Sequence, residues 1–223
     1  MSSDRLRDLW KSMGAAFEAG EIELPVPPEE IILSTVSSPE FPRNKQMIRL
    51  MLGWLAMYRE LIHVERLKTQ SPKLDARSLA VLGGVAHKQA GQDHRWKAIV
   101  RLVEKRLGDK PLVDPPADPA IQIERKGLDP DFTKLGIEVF QTTATQARKF
   151  RARRFILDNN PWLKNRLLFG ANLRADVATV MALSLAPNAY GASQLLGCSR
   201  DAANRNWRAL AEAGWPAGWQ PVR

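Results

Sequence analysis

The pattern of this chain is sharpest over Gly191-Ala-Ser193-Gln194-Leu-Leu-Gly197-Cys-Ser199-Arg200-Asp-Ala-Ala-Asn204-Arg205-Asn-Trp207-Arg208-Ala-Leu-Ala-Glu-Ala-Gly-Trp215. Its apolar residues fall into two groups with helical spacing. Ala192, Leu195 and Leu196 give a short helix an inward side; Ala203, Trp207 and Leu210, at i, i+4 and i+7, do the same for a longer helix over Arg200 to Ala213. Between them Gly197 permits a tight turn, and Ser199 is a favourable N-cap for the second helix. Cys198 fits the turn as a small apolar group and is expected to be buried there. Two helices joined by so short a turn must pack at a steep angle, which needs an apolar inner side on each and a small or flexible residue at the turn.

Outward from this pair, Pro161-Trp162-Leu163 opens a helix that Gly170 ends, and a further helix over about Arg174 to Leu185 places Leu173, Val177, Val180, Met181 and Ser184 on one face before Pro187-Asn188 breaks it. The charge follows the same part of the chain. From Thr145 to Arg223 there are twelve Lys/Arg against four Asp/Glu, a net of +8 out of +9 for the whole chain. A field concentrated in this way is the electrostatic footprint of a polyanion-binding surface.

With these residues in view, the stretch resembles the helix-turn-helix of winged-helix bacterial transcriptional regulators of the MarR and ArsR kind, over about residues 172–215 only. In those families a short helix, a glycine turn, Ser/Thr-Arg at the start of the recognition helix and a closing Leu-x-x-x-Gly follow one another. The resemblance implies that the C-terminal part binds double-stranded DNA. The tail departs from the pattern: after Gly214 only nine residues remain, Pro216 and Pro221 among them, so little or no wing is expected. Either the wing is vestigial or the tail, with Trp215 and Trp219, packs back on the core.

The exposed side of the expected recognition helix carries the chemistry that DNA reading needs. Arg can bridge guanine O6 and N7, and Asn can bridge adenine N6 and N7. Arg200, Asn204 and Arg205, near the helix start, are assigned to base edges, and Arg208 to phosphate. Ser199 joins this set as the cap. Ser193 and Gln194, taken as the start of the short helix, are assigned a phosphate through backbone N–H groups. The run Arg148-Lys149-Phe-Arg151-Ala-Arg153-Arg154 holds five bases in seven residues and reads as a basic arm against phosphates or as a solvated helix face.

The remainder of the chain reads as helical. Leu6, Leu9, Trp10, Met13 and Phe17 recur at helical spacing; a loop with Pro25, Pro27, Pro28, Pro39 and Pro42 follows; periodic stretches then run over about Lys45 to Lys68, Asp75 to Gln89 and Asp93 to Leu107. Seven tryptophans against two tyrosines point to cores built around a few large rings. Prolines punctuate 109–131, with short strands read at Ile121-Gln122-Ile123-Glu124 and at Gly136 to Phe140. The expected organisation is mainly α: a helical domain at 1–110 for assembly or partner binding, a proline-rich linker at 111–144, and a basic DNA-binding domain at 145–223.

Several classes of function lack their residues. Cys198 is the sole cysteine, so no internal disulfide and no zinc site with two thiolates is expected. His63, His87 and His94 show no helical i, i+4 pair, and no Walker loop, G-x-G-x-x-G or G-x-S-x-G motif occurs, so neither a cofactor nor catalysis is expected. Gly83-Gly84 reads as a place of close helix packing. Asp4, Arg5, Arg7, Asp8 and Lys11 interrupt the first residues, and Arg49, Arg59 and Glu60 interrupt the apolar run around Ile48 to Ile62. A signal peptide, a membrane span and a membrane partner are therefore not expected, and the setting reads as cytoplasmic. The partners expected are double-stranded DNA and, through the N-terminal helices, a second copy of the chain or another protein. A transcriptional regulator follows, with an antitoxin or defence-system autoregulator as one form that fits the size. The alternative is a protein–protein interaction module that uses the same helical pair as a scaffold.

Overall fold

The computed structural model describes residues 3–16, 25–39, 44–108, 120–141 and 149–215. Among them regular structure is helical throughout, with no strand, which agrees with the mainly α expectation. No helix among them is long and apolar enough to cross a membrane. The chain divides into two compact units, and the division is not the linear one that the proline spacing suggests. The first holds Met1–Leu6, Glu29–Arg59 and Val64–Phe150; the second holds Arg7–Pro28, Glu60–His63 and Arg151–Arg223.

Helix α1 (Ser3–Ser12) opens the chain. Helix α2 (Pro28–Val36), which belongs to the first unit from Glu29 on, lies inside what reads as a proline loop. Pro28 is its first residue, where a missing N–H costs nothing, and Ile31, Ile32 and Val36 are buried. The periodic stretch from Lys45 to Lys68 is two helices rather than one: α3 (Lys45–Tyr58) and α4 (Val64–Gln70), separated by a 3-10 turn over Arg59–Leu61. Helix α5 (Ala76–Ala90) is the centre of this unit, buried almost all round from Ser78 to Ala86, and packs against α3 and α6 (Lys97–Leu107). Asp75 caps α5: its Oδ1 accepts the Ser78 N–H at 2.8 Å, and this bond holds the carboxyl below its ordinary pKa.

Two expectations about 111–144 are corrected. Ile121-Gln122-Ile123-Glu124 is helical, within α7 (Ala120–Lys126), which buries none of its residues. Alternating apolar residues over so few positions fit one helical turn as well as a strand. Residues 128–140 are not a linker but part of the first unit. Asp129 caps α8 (Pro130–Thr133), Phe132 is fully buried, and α8 packs on α5. The Gly136 to Phe140 segment makes one isolated bridge, Leu128 to Phe140, rather than a strand. Gly83 and Gly84 make this packing possible, as expected: a Cβ on Gly84 would run into the Phe132 ring, and one on Gly83 would meet Leu135 and Val103. Residues 109–119 and 142–148 lie outside the described residues.

The second unit is built from α9 (Arg153–Asn159), α10 (Pro161–Phe169), α11 (Leu173–Ala182), α12 (Ala189–Leu196) and α13 (Arg200–Glu212). Four of the five start on a side-chain cap. Asn160, Asn172 and Asn188 accept the N–H of Leu163, Ala175 and Gly191, and the Ser199 hydroxyl accepts that of Ala202. Each cap contributes about 1 kcal/mol, so short helices hold their starts. A buried polar cluster fixes α10 to α11. Arg166 Nε and Nη2 donate to Asp176 Oδ1 at 3.0 and 2.8 Å, and Arg166 Nη1 donates to the Leu61 carbonyl. His63 Nδ1 donates to Asp176 Oδ2 at 2.7 Å. The Arg166 and Asp176 side chains are 0% and 1% exposed, so each ion depends on the other.

Candidate nucleic-acid interface

The surface of interest rests on the apolar cluster of the second unit. Val177 and Val180 of α11, Ala192 and Leu196 of α12, and Leu210 of α13 form one core with Trp162. Helix α12 ends at Gly197, whose φ of +64° and ψ of +36° are left-handed and cost glycine little; its N–H and that of Cys198 both return to the Ser193 carbonyl. Ser199 then starts α13 with its backbone extended, and Asp201 in the first turn complements the helix dipole. The expected turn and cap are thus in place. The Cys198 thiol is half-buried and packs on the same core.

Not every inward residue is where spacing put it. Leu195 is 48% exposed, because Ala192 and Leu196, four positions apart, hold the inner line of α12 and Leu195 lies about 100° round the helix from Leu196. Trp207 is half-buried against the core rather than enclosed, since one helical step from the Ala203–Leu210 line carries it to the edge of the buried stripe. Trp207→Ala is therefore expected to cost about 1–2 kcal/mol, less than the ~3–5 kcal/mol of a fully enclosed ring. Urea denaturation measures it, and a loss above that range would mean the ring is enclosed in solution.

The flank of α13 toward α12 forms a groove of about 450 Å³, lined by Arg200, Asn204, Trp207 and Arg208 of α13 and by Asn188, Ala189 and Tyr190 of α12. The four α13 residues are at i, i+4, i+7 and i+8, one face of a helix. The Arg200 guanidinium lies over the Tyr190 ring, 5.4 Å from its centroid. Arg205 is exposed and does not line the groove; it lies on the side of α13 opposite Ala203 and Leu210. On the remaining flank Asn206 Oδ1 accepts from Arg174 Nε at 3.5 Å. The groove can donate from two guanidiniums and both donate and accept at the Asn204 carboxamide, on an aromatic wall, while the Asn188 carboxamide oxygen is taken by the Gly191 N–H.

The structure also relocates parts of the expected set. Ser193 and Gln194 lie in the second turn of α12, not at its start. The Ser193 hydroxyl is buried and donates to the Tyr190 carbonyl at 2.7 Å, so the amides that point out of this helix end belong to Ala189 and Tyr190. Tyr190 and Asn188 are not legible as site residues in the sequence, although Pro187-Asn188 carries the signal of a helix cap. Arg148 lies outside the described residues. Lys149 is exposed and belongs to the first unit; Arg151, Arg153 and Arg154 are exposed and belong to the second. Arg153 pairs with Glu60 at 3.4 Å, Arg154 with Asp158 at 3.7 Å, and Arg151 lies 5.7 Å from the centroid of the Phe155 ring. Exposed pairs of this kind are weak and exchange readily for other anions.

Trp215 packs edge-on against Phe169 and donates to the Ala178 carbonyl at 3.0 Å, so the chain after α13 starts by folding back on α10 and α11. Trp219 and the tail prolines lie outside the described residues. His87 faces Glu104 at 3.5 Å, and among the described residues no three ligating side chains converge on a metal position. Comparison with family models, with curated proteins and with solved structures returns no match.

Proposed function

We propose that this chain is a sequence-specific double-stranded DNA-binding protein and a transcriptional regulator rather than an enzyme, with α12 and α13 as its helix-turn-helix and α13 as the recognition helix. One observation carries the reading. A capped helix, a left-handed glycine turn and a second capped helix present Arg200, Asn204, Arg205 and Arg208 away from a shared core, in the most basic part of the chain. Helix α13, 13 residues long, fits a major groove that admits an α-helix. Arg200 and Asn204 reach base edges, Arg205 on the outermost side does the same, and Arg208 serves phosphate. The N-terminal amides of α12, with Tyr190 beside them, meet the phosphate backbone. One recognition helix reads few base pairs, so two copies on two half-sites about one helical turn apart complete the site.

The test is a nuclease footprint of the full chain on its own upstream DNA at physiological salt. A discrete protected segment with two halves is expected. No protection, or protection that is uniform along the duplex, contradicts the reading and favours a protein partner for this helical pair.

A further inference from the structure

The first unit carries a second basic feature that the recognition helix does not use. A groove of about 550 Å³ opens between α4 and α6, lined by Lys68, Ala98, Arg101, Leu102, Lys105 and Arg106. Four of these six are cations, and no carboxylate is among the described residues that line it. The concentration is local: outside Thr145 to Arg223 the chain is close to neutral, with 21 Lys/Arg and 20 Asp/Glu. Helix α6 has one acid, Glu104, which faces His87 of α5 instead. Lys68 pairs with Glu65 across one turn of α4, where Glu65 is 69% exposed. Arg106 donates to the Pro72 carbonyl, which anchors its head at one end of the groove.

Burial alone does not explain this arrangement. Ala98 and Leu102 form a half-buried floor that neutral or mixed-sign residues would cover as well. Like charges around one open groove instead repel one another, and Glu65, itself exposed, offsets only Lys68. Arg101 and Lys105 are one helical turn apart, ~6 Å along the axis, so they address a row of charges better than a single one. A DNA strand offers such a row, with one phosphate per ~3.4 Å of its axis.

We infer that the α4–α6 groove is a second DNA-binding surface, which holds the phosphodiester backbone of a duplex without regard to sequence. The inference takes its polymer from the DNA-binding reading above, but it rests on residues of its own. The groove raises affinity on every sequence alike and steepens the salt dependence, while discrimination stays with α13.

The experiment uses the full-length chain, a random-sequence duplex as probe, and fluorescence anisotropy over a range of salt concentrations. The variants are Lys68→Ala/Arg101→Ala/Lys105→Ala and, separately, Arg200→Ala/Arg205→Ala. The groove variant is expected to bind the random duplex more weakly, with a log–log salt slope shallower by up to about three, near 0.9 for each phosphate no longer neutralised. Its thermal midpoint is expected to stay close to that of the unaltered chain, because Arg101 and Lys105 are exposed and Lys68 loses only a surface pair with Glu65, and this excludes misfolding. An unchanged slope and affinity in the groove variant overturn the assignment, whatever the second variant does. Failure of the unaltered chain to hold the random duplex at low salt also overturns it, even where upstream DNA is still bound. Weaker binding of the random duplex by the groove variant together with unaltered binding by the second variant sustains the groove and separates it from α13, whose own loss is expected on upstream DNA.

Discussion

Replacing Arg200 and Arg205 with alanine is expected to remove most of the preference of this chain for its own upstream DNA while leaving the fold intact. Both side chains are exposed, and neither touches the core that holds α12 and α13 together. Removing one arginine–base interaction costs roughly 1–3 kcal/mol, which is about five- to 150-fold in affinity. The loss falls on upstream DNA; a scrambled duplex loses only the share that the two positive charges contribute through phosphates. Competition anisotropy with both duplexes separates these terms. Equal loss on the two would move Arg200 and Arg205 to the phosphate backbone, and unchanged upstream affinity would remove α13 as the reading element.

The second large effect is on stability. Asp176→Ala is expected to cost about 3–5 kcal/mol, because it leaves the fully buried Arg166 guanidinium without its counter-ion and takes the acceptor from His63. That is a large part of the ~5–15 kcal/mol that holds a typical domain together. Urea denaturation of the full chain, followed through the tryptophans, measures it. Adding Arg166→Met is expected to recover much of the loss, since removing both charges leaves no unpaired ion in the interior. A loss under about 1 kcal/mol in the single variant would mean that water reaches the pair in solution. Because the pair joins α10 to α11, and α12 and α13 pack on α11, weaker DNA binding by Asp176→Ala should track the folded fraction.

What the sequence shows in advance follows the range of the interaction that decides each feature. The start of α13 is legible because a serine cap and a glycine turn act over three or four residues, and Ala203 and Leu210 are buried because period alone places them. The start of α12 is misjudged because Tyr190 and Gly191 interrupt the apolar period that Ala189 begins, although Asn188 caps the helix; Tyr190 drops out of the site with that error. Trp207 shows the limit of period itself, which gives the direction of a side chain but not how far its neighbours extend to cover it.

The longer-range features are not legible. Prolines make 111–144 look like a linker, yet Pro130 is the first residue of a short helix that buries Phe132 in the space left by Gly84. The alternation at 121–124 points to a strand, but no neighbouring strand is present among the described residues to pair with it, and the segment closes its own hydrogen bonds as α7. The Arg166–Asp176–His63 cluster joins residues up to 113 positions apart, and no local pattern marks it. The α4–α6 groove is likewise assembled from two helices, and the near-neutral total of the N-terminal part conceals it.

A salt titration of binding by the full chain to its own upstream DNA and to a scrambled duplex of equal length separates base reading from phosphate attraction. Tighter binding to the upstream duplex is expected, with a preference that persists at physiological salt, because base recognition adds to the phosphate term rather than replacing it. Equal, weak binding to both duplexes that vanishes as salt is raised would contradict it, and would leave α13 as the surface of a protein partner.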